Sequence, residues 1–259
     1  MWRSPLPAAA PAGKQKVGGE GVAAGGRGGM GAVAAYREAA EGRAGAARAG
    51  LEALVGDLGA LAEQLGGGGQ TPQKARAELL ERVSRASVEG LQANEPLAAA
   101  LGEVQDLLTL MVRYLRDVEL WAQLQVPPVS DGNNFGVDVQ ASCIALVQDR
   151  RQKARLAFET LSEWHWQRGN AIEKFASQTV QVAPQAGSAP GPGPTRKTYD
   201  YVEDFRMFVV SLDVKAQFDA YDSCNRAMAD IVVCLDTLEK NREKVEQPRG
   251  SGGNVTLMY

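Results

Sequence analysis

The residues able to carry out chemistry are few and scattered in this chain of 259 residues. Its single histidine, His165, lies between two tryptophans and lacks the helix-spaced partner that a metal site or an activated nucleophile would need. The three cysteines, Cys143, Cys224 and Cys234, follow no C-x-x-C pattern and fall within predicted helices. They indicate buried, reduced thiols in a cytosolic or nuclear protein. We therefore predict no catalytic residue, no metal site and no cofactor.

Other patterns that could indicate a binding site have structural explanations. The glycine run 66–69 is not followed by the Gly-Lys-Ser/Thr of a phosphate loop, and Glu38 and Glu41 are typical of a solvated helix face. A net charge of -3 gives no basic patch for nucleic acid. No run approaches the roughly 18 apolar residues of a membrane span. We expect neither nucleic acid nor a membrane as partner.

The sequence is instead dominated by long helical patterns. Proline ends the clearest of them at Pro127-Pro128, so that this helix spans about 96–125. Its apolar residues recur in alternating steps of four and three, which predicts one continuous helix with a buried seam; they are Leu97, Leu101, Val104, Leu108, Met111, Leu115 and Val118.

Three further long helices are predicted at about 32–65, 137–179 and 200–247. The first is weakened by glycines, each of which is about 1 kcal/mol less favourable than alanine. The last begins near Asp200, which with Glu203 resembles a capping box. Thr71 and Pro72 resemble an N-cap followed by a first-turn proline, which predicts an extra helix over 72–89.

These patterns divide the chain into three parts. Residues 1–31 are rich in Ala, Gly and Pro and are predicted to be a disordered extension, with a transit peptide as the alternative. Residues 32–250 form the helical domain, with flexible loops at about 66–71 and 182–197. Residues 251–259 form a flexible tail.

Four long helices with short connections predict an all-α, antiparallel up-down four-helix bundle. In that topology the second and fourth helices end at the same pole. The loop 127–137 and the tail should therefore leave from one face, and the two flexible loops should lie at the opposite pole.

The residues of that loop and tail are our candidate binding residues. The loop residues favour turns, because glycine, asparagine and aspartate tolerate left-handed backbone angles; they are Asp131, Gly132, Asn133, Asn134, Phe135 and Gly136. The tail ends in an apolar peptide with a carboxylate, which suits capture in a partner's pocket; its candidates are Thr256, Leu257, Met258 and Tyr259. A functionless, frayed end is the alternative.

The predicted second helix is also more apolar than one seam requires. Leu107, Leu110 and Val112 flank the seam, which indicates either further burial by oligomerisation or a wider core.

Three segments together resemble the 11S (REG or PA28-type) proteasome activators. Trp121 to Pro127, followed by Asp131 to Val137, resembles their activation-loop region. Val202 to Arg206, and Glu243 to Gly250 with the terminal Tyr259, resemble their last helix and tail. The resemblance spans about 94–259, is weaker over 36–65 and is absent from the N-terminal extension.

The resemblance implies four-helix subunits in a homoheptameric ring that activates the 20S core proteasome without ATP. The tails would insert between core α-subunits, and the activation loops would open the gate and stimulate peptide hydrolysis. Asn133 matches the family's most sensitive loop position. The protein would work in the cytoplasm, the nucleus or both. A helical oligomeric scaffold that binds other proteins is the alternative function.

Two departures from the family are visible. Many members carry Pro-Arg and acidic residues before the Asp-Gly, where this chain has Pro127-Pro128 and Val129-Ser130. The Lys/Glu-rich insert that some members have between the first two helices is replaced by the glycine run and the possible helix 72–89.

Overall fold

The regular structure that the computed structural model describes is entirely helical, which confirms the predicted all-α class. It describes residues 27–66, 71, 73–74, 77, 81, 94–130, 134–177 and 203–250. The helices are α1 (Arg27–Gly66), α2 (Glu95–Leu124), α3 (Phe135–Ser162), α4 (Trp164–Ser177), α5 (Glu203–Lys240) and α6 (Arg242–Glu246).

The four long helices α1, α2, α3 and α5 form the predicted antiparallel bundle. Helix α1 packs against α2 and α5, and α3 packs against α2 and, more loosely, α5. The direction of α3 against α2 follows from its cross-helix bonds. The amide of Gln105 donates to Ser162 at 3.0 Å, whereas Gln148 donates to Glu119 at 2.9 Å. The start of α2 therefore lies beside the end of α3.

The seam of α2 forms the centre of the core. All seven of its predicted apolar residues are buried. They pack with five buried leucines on one side of α1, which are Leu51, Leu54, Leu58, Leu61 and Leu65. Burial of each large side chain contributes about 1.5 to 3 kcal/mol. The flanking Leu107, Leu110 and Val112 are half-buried against the same cluster, so a wider core accounts for part of their surface.

Helix α1 begins at Arg27 rather than at residue 32 and runs without interruption to Gly66. The residues 27–31 of the predicted disordered extension are therefore helical, and residues 1–26 lie outside the described part. The structure gives a reason for one of the glycines in this helix. At Gly50 a Cβ would lie 2.6 Å from the ring of Tyr114. This glycine admits an aromatic side chain of α2, so tertiary packing offsets its low helix propensity.

The predicted third and fourth helices are each interrupted once. A turn at Glu163 separates α3 from α4, and a turn at Asn241 separates α5 from α6. At each turn a side chain hydrogen-bonds the carbonyl four residues earlier: Thr160 bonds Leu156 at 2.9 Å just before Glu163, and Asn241 itself bonds Thr237 at 2.8 Å. Such bonds can bend a helix, but Thr109 makes the same bond to Gln105 within the unbroken α2, so they do not by themselves cause the turns. Apolar periodicity reveals neither turn.

The predicted cap at Thr71 is confirmed locally. The backbone N–H of Lys74 donates to the Thr71 hydroxyl at 3.3 Å, and Gln73, Lys74, Ala77 and Glu81 are helical. The other residues of the predicted helix 72–89 lie outside the described part of the chain, as do Asp200 of the predicted capping box and residues 182–197. None of the described helices combines the length and apolar character needed to cross a membrane.

A buried carboxylate joins three helices at the pole opposite the candidate site. Asp213 of α5 is only 3% exposed. It accepts hydrogen bonds from the Trp164 indole at 3.1 Å, from Arg168 Nε at 2.9 Å and from the Asn94 amide at 3.1 Å. The turn at Glu163 starts α4 at Trp164, so Trp164 and Arg168 lie on α4 and reach this carboxylate.

Asp213→Ala is expected to lower the free energy of unfolding by about 3 to 5 kcal/mol, because it leaves the Arg168 guanidinium buried without its carboxylate partner. Thermal or urea unfolding at a fixed protein concentration measures the change. The exposed pair of Asp222 with Arg226 supplies the control, since Asp222→Ala should change the free energy by less than about 1 kcal/mol. Equal losses in the two variants would contradict the role of this site.

Candidate functional site

The candidate site begins where α2 ends. The last backbone hydrogen bonds of α2 run from Gln125 N–H to Ala122 O and from Val126 N–H to Gln123 O, both at 3.2 Å. Pro127-Pro128 then stops the helix, as predicted. Val126 and Val129 both expose their side chains, so the start of the loop presents apolar surface.

Helix α3 begins earlier than the sequence predicts, at Phe135 rather than at residue 137. The Asn134 carbonyl accepts hydrogen bonds from Val137 N–H at 2.8 Å and Asp138 N–H at 3.0 Å. Phe135 and Gly136 therefore belong to the first turn of α3 and not to the loop. Phe135 is 68% exposed and Gly136 is buried.

The chain turns sharply after α6, in a segment that we call the tail base (residues 245–250). Gly250 N–H donates to Gln247 O at 2.9 Å, with Pro248 and Arg249 between them. Gly250 has a φ of 75°, a left-handed angle that glycine adopts without a steric penalty. This turn completes the tail base, directly before the tail in sequence.

The tail base lies directly on the first turns of α3. The Gln140 amide donates to Val245 O at 2.8 Å, and both residues are wholly buried. A Cβ on Gly136 would lie 1.8 Å from the Pro248 carbonyl oxygen. Arg249 Nη2 donates to Asn134 Oδ1 at 3.3 Å. We call this set of contacts the loop–tail clamp; it comprises Asn134, Gly136, Gln140, Val245, Pro248 and Arg249.

The clamp confirms the central topological prediction for the attachment points, because the end of the loop and the start of the tail share one pole. Of the predicted site residues, the structure brings Asn134 and Gly136 together with the tail base and leaves Phe135 exposed beside them. Asp131, Gly132 and Asn133 of the loop lie outside the described residues. So do Thr256, Leu257, Met258 and Tyr259 of the tail.

Sequence reasoning missed Gln140 as a site residue. The only signal was a polar side chain in the stripe of α3 that also holds Gly136, Cys143 and Val147. Such a position indicates a buried polar group that needs a hydrogen-bond partner. It does not say that the partner is a backbone carbonyl 105 residues further along the chain.

A buried acid braces the end of α2 against α3. Glu119 pairs with Arg151 Nε at 2.9 Å and accepts hydrogen bonds from Gln123 at 3.0 Å and Gln148 at 2.9 Å. The loop is therefore anchored on both sides: Glu119 holds the helix before it, and the clamp holds the helix after it.

A cation–π contact holds α1 at the same pole. The Arg48 guanidinium lies 4.3 Å from the centre of the Trp121 ring. Burial, and secondarily the positive charge of Arg242, lower the pKa of Arg48. Arg242 in turn donates to Glu246 at 2.9 Å, and that hydrogen bond raises the Arg242 pKa.

The residues considered first for chemistry are structural. Cys143, Cys224 and Cys234 are free and buried, and burial raises the pKa of Cys224 to about 11 and that of Cys234 to about 12. Their reactive thiolate is therefore scarce at neutral pH. His165 is exposed, and its ring lies 4.6 Å from that of Trp164. Within the described ranges no group of three or more His, Cys, Asp or Glu residues is placed to hold a metal.

An open groove of about 620 Å³ lies between α3 and α5, away from the pole of the clamp. An ion pair between Arg150 and Asp230 at 2.9 Å crosses it. Charged side chains of both signs also line it, together with Leu156 and Ala157. It contains no arrangement of nucleophile and base.

The comparisons with known proteins agree with the resemblance seen in the sequence. Residues 90–182 match the family described as "Proteasome activator PA28, C-terminal". The human protein named proteasome activator complex subunit 3 is 26% identical over 169 residues, which are 65% of this chain and 58% of the human one. The chicken protein of that name has the same identity and coverage. This chain thus matches little more than half the length of these curated relatives.

Solved structures show the same fold. The 11S subunit of the Plasmodium falciparum proteasome, PA28, superposes with a TM-score of 0.61 at 16% identity, over 88% of this chain and 98% of that one. A chain from the archaeal 20S proteasome in complex with mutated P26 activator gives 0.62 at 14% identity, over 90% and 99%. These matches confirm the predicted resemblance and bundle architecture. The matched family is named for activating a protease, which is a regulatory role.

Proposed function

We propose that this chain is an ATP-independent activator of the 20S core proteasome. In this proposal its subunits form a homoheptameric ring, the C-terminal tails bind between core α-subunits, and the activation loops open the gate to peptides. The observation that carries the proposal is the loop–tail clamp. A ring that docks on one surface needs both devices at one pole, and the clamp joins their attachment points there.

The length and sequence of the tail support a docking role. Nine residues beyond Gly250 would reach about 30 Å when extended. Thr256, Leu257, Met258 and Tyr259 would fill a pocket and offer a terminal carboxylate to a lysine of the core.

Repetition of the tail around a ring would supply the affinity. A single tail that binds at about 1 mM contributes only about -4 kcal/mol. Several tails on one ring act at a high effective concentration, so modest contacts add up to firm docking.

The loop would act at the gate. Asp131, Gly132 and Asn133, together with Asn134 and the exposed Phe135, would press on the turns that close the channel, and the buried Gly136 would support them from the first turn of α3. The exposed side chains of Val126, Val129 and Phe135 give this pole an apolar surface suited to contact with another protein. The chain itself would have no catalytic role and no cofactor, and it would work in the cytoplasm, the nucleus or both.

The test is hydrolysis of a fluorogenic peptide by latent 20S core particles, with and without the purified protein and without ATP. We expect a several-fold increase in rate, and native mass spectrometry should give a seven-subunit ring bound to the core. A ring that binds the core without stimulating it would contradict gate opening. A monomer or dimer that does not bind the core would favour the alternative, a helical scaffold for other proteins.

A further inference from the structure

We infer that the loop–tail clamp positions the activation loop, so that Gly136 and Gln140 act as positioning residues that hold the loop in register with the docked tail. This inference rests on the proposed function. It goes further because it links the two devices through their attachment points, the first turn of α3 after the loop and the tail base before the tail.

The contact at Gly136 is the strictest part of the clamp. Any Cβ at this position would lie 1.8 Å from the Pro248 carbonyl oxygen and 2.8 Å from its carbonyl carbon. Both atoms belong to the backbone, so no change of rotamer can relieve the overlap. The first turn of α3 and the tail base can therefore stay in contact only while residue 136 is glycine.

Gln140, one turn further along α3 than Gly136, also bonds the tail base. Its amide and the Val245 carbonyl form a 2.8 Å hydrogen bond in a wholly buried place, where loss of the donor would leave the carbonyl without this partner. The bond fixes the height of α3 relative to the tail base.

Asn134 contributes a third link, because its side chain bonds the tail base and does not cap its own helix. Asparagine at an N-cap normally accepts a hydrogen bond from the first turn of its own helix. The Asn134 side chain makes no such cap bond and instead accepts the guanidinium of Arg249 at 3.3 Å. The last residue of the loop is thus bonded to the tail base.

Together these links restrict where the loop can lie. Glu119 and Arg151 fix the helix that enters the loop, and the clamp fixes the helix that leaves it. When the tails dock, the tail base sets the position of α3 against the core surface, and α3 sets the position of the loop.

The first experiment compares Gly136→Ala with Gly102→Ala. Gly102 lies in α2, where an added Cβ meets nothing within 4 Å, so the control makes the same chemical change without overlap. Titration of core particles yields the half-saturating concentration and the maximal stimulation for each ring.

For Gly136→Ala we expect the maximal stimulation to fall about five-fold or more. The overlap forces the first turn of α3 away from the tail base, and this should lower the fraction of loops in the gate-opening position by about the same factor. The half-saturating concentration should stay within about two-fold of wild type, because the substitution leaves residues 251–259 unchanged and the summed contacts of the tails set the affinity. Gly102→Ala should match wild type in both. Full maximal stimulation by a Gly136→Ala ring would overturn the inference.

A second experiment needs no proteasome and can be interpreted even if the Gly136→Ala protein fails to assemble. It tests whether contact with the tail base orders the first turn of α3. Hydrogen exchange is followed at the backbone amides of Val137 and Asp138 in two truncated proteins. Ending the chain after Gln247 removes Pro248 and Arg249, and should speed exchange there about tenfold. Ending it after Gly250 keeps the clamp and should leave exchange unchanged.

Equal exchange in the two truncations would overturn the clamp as a positioning device. Failure of the proposed function gives a different result: wild type and Gly102→Ala would then both fail to stimulate the core, while the exchange difference would persist.

Discussion

Deletion of Leu257, Met258 and Tyr259 is expected to abolish binding to the 20S core and, with it, all stimulation of peptide hydrolysis. The deletion removes the three apolar residues at the tip of every tail at once and moves the terminal carboxylate back by three residues, to Thr256. Because the ring's affinity arises from the summed binding of many weak tails, loss of each tail's contribution lowers the overall affinity by orders of magnitude. Native mass spectrometry and core titration measure the effect.

The deletion should leave the ring itself intact, because the described contacts of the bundle and of the tail base are made by residues up to 250. An unchanged ring mass and unfolding midpoint in the absence of core particles therefore serve as the control. A truncated ring that binds core particles as tightly as wild type would refute the docking role of the tail. The tail would then be the functionless, frayed end that is the alternative interpretation of its sequence.

The substitution Asn133→Tyr has the second large expected effect, on stimulation rather than on binding. Asn133 immediately precedes the clamped Asn134, and Glu119 and the clamp anchor the helices on either side of the loop, so we expect neither helix to move to accommodate a bulky ring. The variant should retain the half-saturating concentration of wild type within about two-fold, since the tails are untouched. Its maximal stimulation should fall to near the rate of core particles alone.

A competition assay sharpens this test. Excess Asn133→Tyr ring should displace wild-type ring from the core and so inhibit the stimulated rate, whereas the tail-deleted ring should not. Normal stimulation by Asn133→Tyr would remove the loop from the mechanism. Together, the two variants assign binding and gate opening to separate segments.

The sequence predicted the bundle well because its dominant signals are local. The alternating spacing of apolar residues in α2 places all seven seam residues in the core, and Pro127-Pro128 ends that helix where expected. Topology then required the loop and tail to share a pole, and the contacts of Asn134 and Gly136 confirm this at their attachment points.

The errors occurred where a distant contact decides the local structure. Helix α3 was predicted to run unbroken to residue 179, but it ends before Glu163, and Trp164 bonds Asp213 49 residues later. Gly136 was predicted to be a turn residue of the loop, yet it lies in a helix and is needed for close approach to Pro248.

The partner of Gly136 in the clamp is a main-chain carbonyl, and this has a consequence for how the position can evolve. A clash between two side chains can be relieved when the second residue becomes smaller, and such pairs leave a covariation signal among relatives. No replacement at residue 248 removes its carbonyl oxygen. Position 136 therefore has no compensating mutation within reach, and in relatives that keep this contact it should be invariant glycine without a covarying partner.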